Sequence, residues 1–84
     1  MTRKQIIIEK LAKLEHDQWI EWAKNISSKE NLSSERLARW KKLYVPYEEL
    51  SEEMKEEDRK WARKVFEIFK EAISINPEDI KKFQ

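Results

Sequence analysis

The sequence predicts a small all-α fold, and three observations support this prediction. The 84 residues include no glycine and only two prolines, so tight two-residue hairpins between strands are disfavoured. Charged residues make up 42% of the chain and are mostly Lys and Glu, which exposed helix faces tolerate well. Apolar residues recur at spacings of three and four, the period of an amphipathic helix. The length predicts a single domain, residues 1–84.

The first helix is predicted from Arg3 to Lys24, and it carries two adjacent stripes of mostly apolar residues. Two stripes predict that the helix packs against more than one neighbour, or packs on one side and lines a pocket on the other. The polar residues 25–31 are predicted to connect it to the next helix. The first stripe consists of Ile7, Leu11, Leu14, Gln18 and Trp22, and the second of Ala12, His16, Trp19 and Ala23.

The second helix is predicted to begin at Ser33. A serine hydroxyl can accept a hydrogen bond from one of the free backbone N–H groups at a helix start. The helix must end by Val45, because Pro46 biases the preceding residue away from helical backbone angles. Residues 45–50 are then predicted to form a turn or a short irregular helix.

The third helix is predicted to follow Ser51 as its N-cap, and to be the central core helix because it has the strongest apolar periodicity in the chain. After Ile75, an asparagine and a proline form a second helix-start signal, which predicts a short C-terminal helical turn over residues 76–80. The periodic stripe consists of Met54, Asp58, Trp61, Val65, Ile68, Ala72 and Ile75, widened by Phe66, Phe69 and Ile73.

The residue types argue against catalysis and against a metal or cofactor. The chain has no cysteine, and His16 is its one histidine, so thiolate chemistry and zinc sites lack their ligands. Loops that cradle phosphate need glycine, which is absent. The serines occupy predicted caps and connectors rather than positions beside a base. The sequence therefore predicts a protein that is not an enzyme.

The hydropathy pattern predicts a soluble, cytoplasmic protein. No apolar run approaches the roughly 18 residues that a membrane-spanning helix needs. Ile6, Ile7 and Ile8 form too short a run for the core of a signal peptide. The lack of cysteine fits a reducing compartment.

Charge and aromatic residues give the strongest indication of a binding site. Residues 29–44 carry five basic and two acidic side chains, whereas residues 45–58 carry one and seven. These blocks either neutralise each other between neighbouring helices or form a site for an anionic ligand. Trp40 and Tyr44 lie beside Lys42 and other cations, a pairing that suits a nucleobase and its phosphate. Core packing is the alternative for both rings.

Two other tryptophans are interpreted as core residues, and His16 has two possible roles. Trp61 lies in the core stripe of the third helix, so it is predicted to be buried, and Trp22 is assigned to the core as well. His16 lies one turn before Trp19 on the second stripe of the first helix. It is either a structural histidine with its hydrogen bonds satisfied or a group that contacts a ligand.

Two sequence blocks resemble the motifs of a known family. The first is Leu11-Ala12 followed by His16 and Trp19, and the second runs from Val45 to Lys55 and continues with Asp58-Arg59. Together they resemble the ryanodine-receptor repeat domain over about residues 11–70. That family usually carries a glycine- and tryptophan-containing loop between the blocks. This chain has no glycine there, and Trp40 on a predicted helix stands in for the loop tryptophan.

The resemblance implies a small three-helix module without catalytic residues. Prokaryotic and phage relatives are linked to defence systems that signal through nucleotides, so the expected ligand is a nucleotide-derived messenger and the expected role is a sensor or a sequestering sponge. In that picture Arg59 pairs with a phosphate. The motif match assigns His16, Trp19, Tyr47 and Arg59 to the site, and the charge and aromatic pattern adds Trp40, Lys42 and Tyr44.

Two other functions compete with this expectation. The chain could be a protein-interaction or oligomerisation module that uses exposed aromatic residues as anchors, with a second copy as one candidate partner. It could also bind nucleic acid through the basic residues 36–42. The net charge of +1 and the acidic block that follows argue against the nucleic-acid function.

Overall fold

The computed structural model describes residues 1–74. Within this range the chain forms three α-helices and a short 3-10 turn, and no β-strand, which confirms the predicted all-α class. The C-terminal helical turn predicted over residues 76–80 lies outside the described residues, as does Ile75. The elements are α1 (Arg3–Lys29), α2 (Ser34–Lys41), the 3-10 turn (Tyr47–Glu49) and α3 (Glu52–Ser74).

Helix α1 begins at a capping box and ends five residues later than predicted. The Thr2 hydroxyl accepts a hydrogen bond from the Gln5 N–H at 3.1 Å, and the Gln5 side chain accepts one from the Thr2 N–H at 2.7 Å. The prediction of a connector over residues 25–31 was wrong, because the helix continues to Lys29.

Serine side chains explain this extension. The Ser27 hydroxyl donates to the Ala23 carbonyl at 2.7 Å, and the Ser28 hydroxyl donates to the Asn25 carbonyl at 2.7 Å. Both hydroxyls thus hydrogen-bond to helix carbonyls. They are not available for the local hydrogen bonds that would favour a non-helical backbone. Half-buried Ile26 also gives this last part of α1 an apolar contact.

The predicted caps of the other two helices are confirmed. The Ser33 hydroxyl accepts from the Arg36 N–H at 3.1 Å at the start of α2. The Ser51 hydroxyl accepts from the Met54 N–H at 3.2 Å at the start of α3. The 3-10 turn lies within residues 45–50, where a turn or short irregular helix was predicted.

Helices α1 and α3 form an antiparallel pair. The Lys4 ammonium lies 5.3 Å from the centre of the Phe66 ring, and further along α1 Glu9 bonds to Arg59, which lies earlier in α3. Ala12 and Ala62, both fully buried, lie in the core between the two helices. The core consists of Ile8, Ala12, Tyr47, Leu50 and Ala62, with Leu11, Leu43, Val45 and Phe66 packed against it.

The predicted core face of α3 is confirmed only in part, because Phe66 packs against the core and Val65 is half-buried, whereas other members of the stripe are exposed. Ala62 is fully buried, whereas Trp61 beside it is 54% exposed and Ile68 is 67% exposed. Within residues 1–74, α1 is the helix that packs along α3, and the stripe of α3 that contains Ala62 lies against it. Trp22 of α1, also assigned to the core, is half exposed.

The fold is thin as a consequence. Its smallest dimension is 14 Å, close to the diameter of one helix with its side chains. Among the described residues, the side chains with no accessible surface are those of three alanines, Ala12, Ala23 and Ala62. Several of the larger apolar side chains, such as Trp61 and Ile68, are exposed, whereas Ile8, Tyr47 and Leu50 are buried in the core.

Candidate functional site

The predicted site residues fall into two groups. Four of them meet where α2 packs on the second half of α1, and two lie at the line of contact between α1 and α3. Lys42 is exposed at the end of α2. The first group is His16, Trp19, Trp40 and Tyr44, and the second is Tyr47 and Arg59.

Trp19 lies at the centre of the first group. Its ring centre is 5.8 Å from that of Trp40 in an edge-to-face arrangement and 6.0 Å from that of Tyr44. The Trp22 ring also contacts Trp40, at 5.7 Å. Such pairs contribute about 0.5–1.5 kcal/mol each beyond the area they bury. These contacts hold α2 against α1, and Trp40 and Tyr44 remain half-buried rather than enclosed.

His16 is tied to the chain that links α2 to the 3-10 turn. It is 4% exposed, and its Nε2 lies 2.7 Å from the Val45 carbonyl oxygen. A carbonyl can only accept, so Nε2 carries the proton and donates this bond. The His16 ring also lies nearly parallel to Trp19, with centres 6.3 Å apart. One of the two ring nitrogens is thus used inside the fold.

Arg59 is surrounded by carboxylates. Its Nε donates to Glu9 at 2.5 Å, its Nη1 donates to Glu52 at 3.0 Å, and Nη1 lies 3.7 Å from Glu56. The Tyr47 hydroxyl donates to the other oxygen of Glu9 at 3.0 Å. We call these five residues the Glu9 network.

Proton affinities in the Glu9 network follow from these bonds. The hydrogen bond from Arg59 holds the pKa of Glu9 below its usual value, and the same pairing raises the pKa of Arg59 further above its own. Burial, together with the hydrogen bond to Glu9, raises the pKa of Tyr47 to about 12. A phosphate bound to Arg59 would compete with the carboxylates of Glu9, Glu52 and Glu56, which already pair with this guanidinium. The network therefore fits a structural role better than phosphate binding.

A cavity beside Tyr44 presents Lys24, a cation that the sequence prediction did not include, together with Lys41. The Lys24 ammonium lies 5.4 Å from the centre of the Tyr44 ring. Lys24 was predicted to be the last residue of α1. Because the helix continues to Lys29, the turn that follows Lys24, with Ser27 and Ser28, lines the same cavity. The cavity measures about 290 Å³ and is lined by Lys24, Ser27, Ser28, Leu37, Lys41 and Tyr44.

A larger exposed surface is apolar. A groove of about 430 Å³ runs between the first half of α1 and the last half of α3, and Ile73 at its end is 82% exposed. Leu14 lies two turns after Ile7 on the same stripe of α1, and it is exposed as well. The groove is lined by Ile7, Leu11, Phe66, Phe69, Lys70 and Ile73.

Ile7, Trp61 and the exposed apolar residues that share their stripes lie on one face of the layer. Ile7 directly precedes buried Ile8, and Trp61 directly precedes buried Ala62. One position is a rotation of about 100° around a helix. Two antiparallel helices that lie side by side are related by a local two-fold axis perpendicular to the layer they form. A residue one position before the line of contact therefore points to the same face of the layer on either helix.

We call this surface the apolar face. The Lys64 ammonium lies over the Trp61 ring at 4.3 Å and marks one edge of it. The sequence contained the signal for this surface. The stripe on α1 was predicted to pack against a neighbour or to line a pocket, and the stripe on α3 was predicted to be core. The apolar face consists of Ile7, Leu11, Leu14, Trp61, Ile68, Phe69 and Ile73.

Residues 1–74 contain no group of three or more His, Cys, Asp or Glu side chains placed to hold a metal ion. None of the helices in this range is long and apolar enough to span a bilayer. Comparison with protein-family models, curated proteins and solved structures gives no match for this chain. The resemblance to the ryanodine-receptor repeat domain stays a prediction from the two sequence blocks.

Proposed function

We propose that the chain is a non-catalytic interaction module that binds a partner through the apolar face. The observation that carries this proposal is the row of large apolar side chains that α1 and α3 expose on one side of a thin layer. Covering them removes on the order of 600 Å² of apolar surface from water, at about 150–250 Å² for a fully exposed large side chain. That burial is worth about 15 kcal/mol before the costs of association.

The reactive side chains support the non-catalytic part of the proposal. His16 donates to a backbone carbonyl, and the hydroxyls of Ser27 and Ser28 do the same. Ser33 and Ser51 accept bonds from helix N–H groups. Each of these potential bases or nucleophiles is engaged in holding the backbone.

Site-specific photocrosslinking in cells tests the interaction module. Benzoylphenylalanine replaces Ile68 on the apolar face, and in the matched control it replaces Glu35, an exposed residue of α2. The proposal predicts a discrete covalent adduct from position 68 and none from position 35. If position 68 gives no adduct in the expressing cell, the apolar face has no partner and the proposal is wrong.

The second candidate function is recognition of a nucleotide-derived small molecule, as a sensor or a sequestering sponge. The cavity beside Tyr44 favours it, because Lys24 and Lys41 supply positive charge next to an aromatic ring. A base would stack on Tyr44, worth roughly 1–3 kcal/mol, and the two ammonium groups would face its phosphates. This arrangement uses Tyr44 from the predicted site and leaves Arg59 in the Glu9 network.

Thermal shift tests this second function with cyclic dinucleotides and trinucleotides, ADP-ribose derivatives and NAD. A ligand at 100 times its dissociation constant adds about 2.7 kcal/mol, a rise of several degrees in a domain of this size. Lys24→Ala should abolish the rise, whereas Arg59→Ala should lower the starting melting temperature and keep the rise. A rise that depends on Arg59 and not on Lys24 would move the site to the Glu9 network.

A further inference from the structure

We infer that the partner of the apolar face is a second copy of this chain, so that two antiparallel helix pairs stack face to face as a four-helix bundle. This inference rests on the proposed interaction module and names its partner. Stable domains consist of two or more packed layers of secondary structure. The described chain supplies one layer, 14 Å thick, with a complete apolar face.

Symmetry favours a second copy over a different protein. A two-fold dimer brings the same patch of each copy together, so the patch must be complementary to itself. The apolar face meets this condition, because the local two-fold relation of α1 and α3 places similar residues on both halves: Ile7 and Leu14 on one helix, Trp61 and Ile68 on the other. Stacking two such faces places large apolar side chains opposite one another, as in the core of an antiparallel four-helix bundle.

The size of the face agrees with a dimer. A standard specific interface buries about 800 Å² on each partner, and roughly six-tenths of such an area is apolar. The apolar face supplies on the order of 600 Å², so apolar residues alone account for most of the area that a stable dimer needs. Lys64 lies over the Trp61 ring, and Lys70 lines the groove; such long side chains can cover apolar surface and keep their charges in water.

Charge also favours self-association. The seven residues of the apolar face are uncharged, and the whole chain has a net charge of +1. Two copies therefore meet with little net repulsion. A nucleic acid or an acidic peptide would instead need a basic surface, and the apolar face does not provide one.

Sedimentation of the purified full chain, from about 1 to 200 µM, tests this inference. The chain offers a matched pair of variants, because Ile6 and Ile7 are adjacent and equally exposed, at 40% and 39%, and only Ile7 lies on the apolar face. We expect a dimer for the wild type and for Ile6→Lys. Ile7→Lys and Ile68→Lys should weaken the dimer by about 100-fold or more, because two-fold symmetry places each charge in the interface twice. Circular dichroism should show unchanged helix content in all three variants.

The outcomes distinguish a failure of the proposed dimer from a failure of the interaction module on which it rests. A wild type that is monomeric at about 200 µM, or a dimer that Ile6→Lys disrupts as strongly as Ile7→Lys, overturns the second copy as partner. If the monomeric chain still gives a cellular adduct at position 68, the interaction module stands with a different partner. If it gives none, both proposals fall. If Ile68→Lys loses its helix content, the apolar face belongs to the core of the chain and the inference is overturned.

Discussion

Replacing Glu9 by Gln tests whether the Glu9 network stabilises the packing of α1 on α3. The glutamine keeps the size of the side chain and removes the charge that pairs with Arg59. The side chains of Glu9 and Arg59 are 32% and 20% exposed, so their pairing is only partly screened by water. Hydrogen bonds to charged groups contribute about 1.5–3 kcal/mol, which partial exposure reduces to about 1–2 kcal/mol here. We expect a fall of roughly 4–15 °C in melting temperature at pH 7.

The lowered pKa of Glu9 determines how the stability lost in Glu9→Gln changes with pH. Arg59 lowers the pKa of Glu9 in the folded state, so the pairing adds its full stability above the unfolded-state pKa of about 4.3. That stability is lost as the pH falls through the lower, folded-state pKa. The difference between wild type and Glu9→Gln should therefore be largest near neutral pH and shrink in acid.

Urea denaturation followed by circular dichroism, at pH 7 and at pH 2.5–3, measures both effects at one protein concentration. Glu48→Gln is the matched control, because Glu48 pairs with Lys13 at 3.3 Å on an exposed surface. Exposed ion pairs contribute little, so this variant should unfold almost like the wild type. Equal losses for the two variants at pH 7, or a Glu9→Gln deficit that persists unchanged in acid, would refute the structural role of the network.

Three further substitutions test the packing of the helices. Ala62→Leu inserts a large side chain into the closest approach of α1 and α3, and thermal unfolding should show a loss of about 1–3 kcal/mol. His16→Leu leaves the Val45 carbonyl without its donor and should cost about 1–3 kcal/mol in urea denaturation, with part regained in His16→Gln, whose amide can still donate. Trp40→Ala removes the ring that Trp19 and Trp22 contact, so amide exchange in α2 should accelerate while α3 keeps its protection. Unchanged stability in the first two variants, or unchanged exchange in the third, would contradict these contacts.

The helices themselves could be predicted because their signals are local. Ser33 and Ser51 cap the helices they precede, and Pro46 limits α2, so each boundary depends on a few neighbouring residues. The end of α1 was missed because Ser27 and Ser28 are typical of connectors, and only their bonds to helix carbonyls reverse that preference.

The packing of α3 could not be predicted from periodicity. Trp61 and Ile68 have the spacing of a core stripe, and the stripe through Ala62 lies about 100° away. Periodicity shows that a surface is apolar, and it does not show whether that surface is covered by the same chain or by another. Ala62 belongs to the buried core cluster, where its small side chain fits, whereas Trp61 beside it is exposed.

The candidate site was predicted in part. The sequence indicated that Trp19, Trp40 and Tyr44 belong together, and the structure brings their rings into contact with His16 beside them. It separates Arg59 from this group, because Glu9 lies two turns before His16 on α1 and pairs with Arg59 there. Long-range pairing of this kind depends on how α1 and α3 are aligned, which sequence spacing does not determine.

Hydrogen exchange measured by mass spectrometry at two protein concentrations tests the interaction face most directly, without any substitution. If two copies associate through the apolar face, amides of residues 61–73 should gain protection as the concentration rises from about 1 to 200 µM, and amides of α2 should not change. Protection in α3 that is independent of concentration, or a gain confined to α2, would contradict the account.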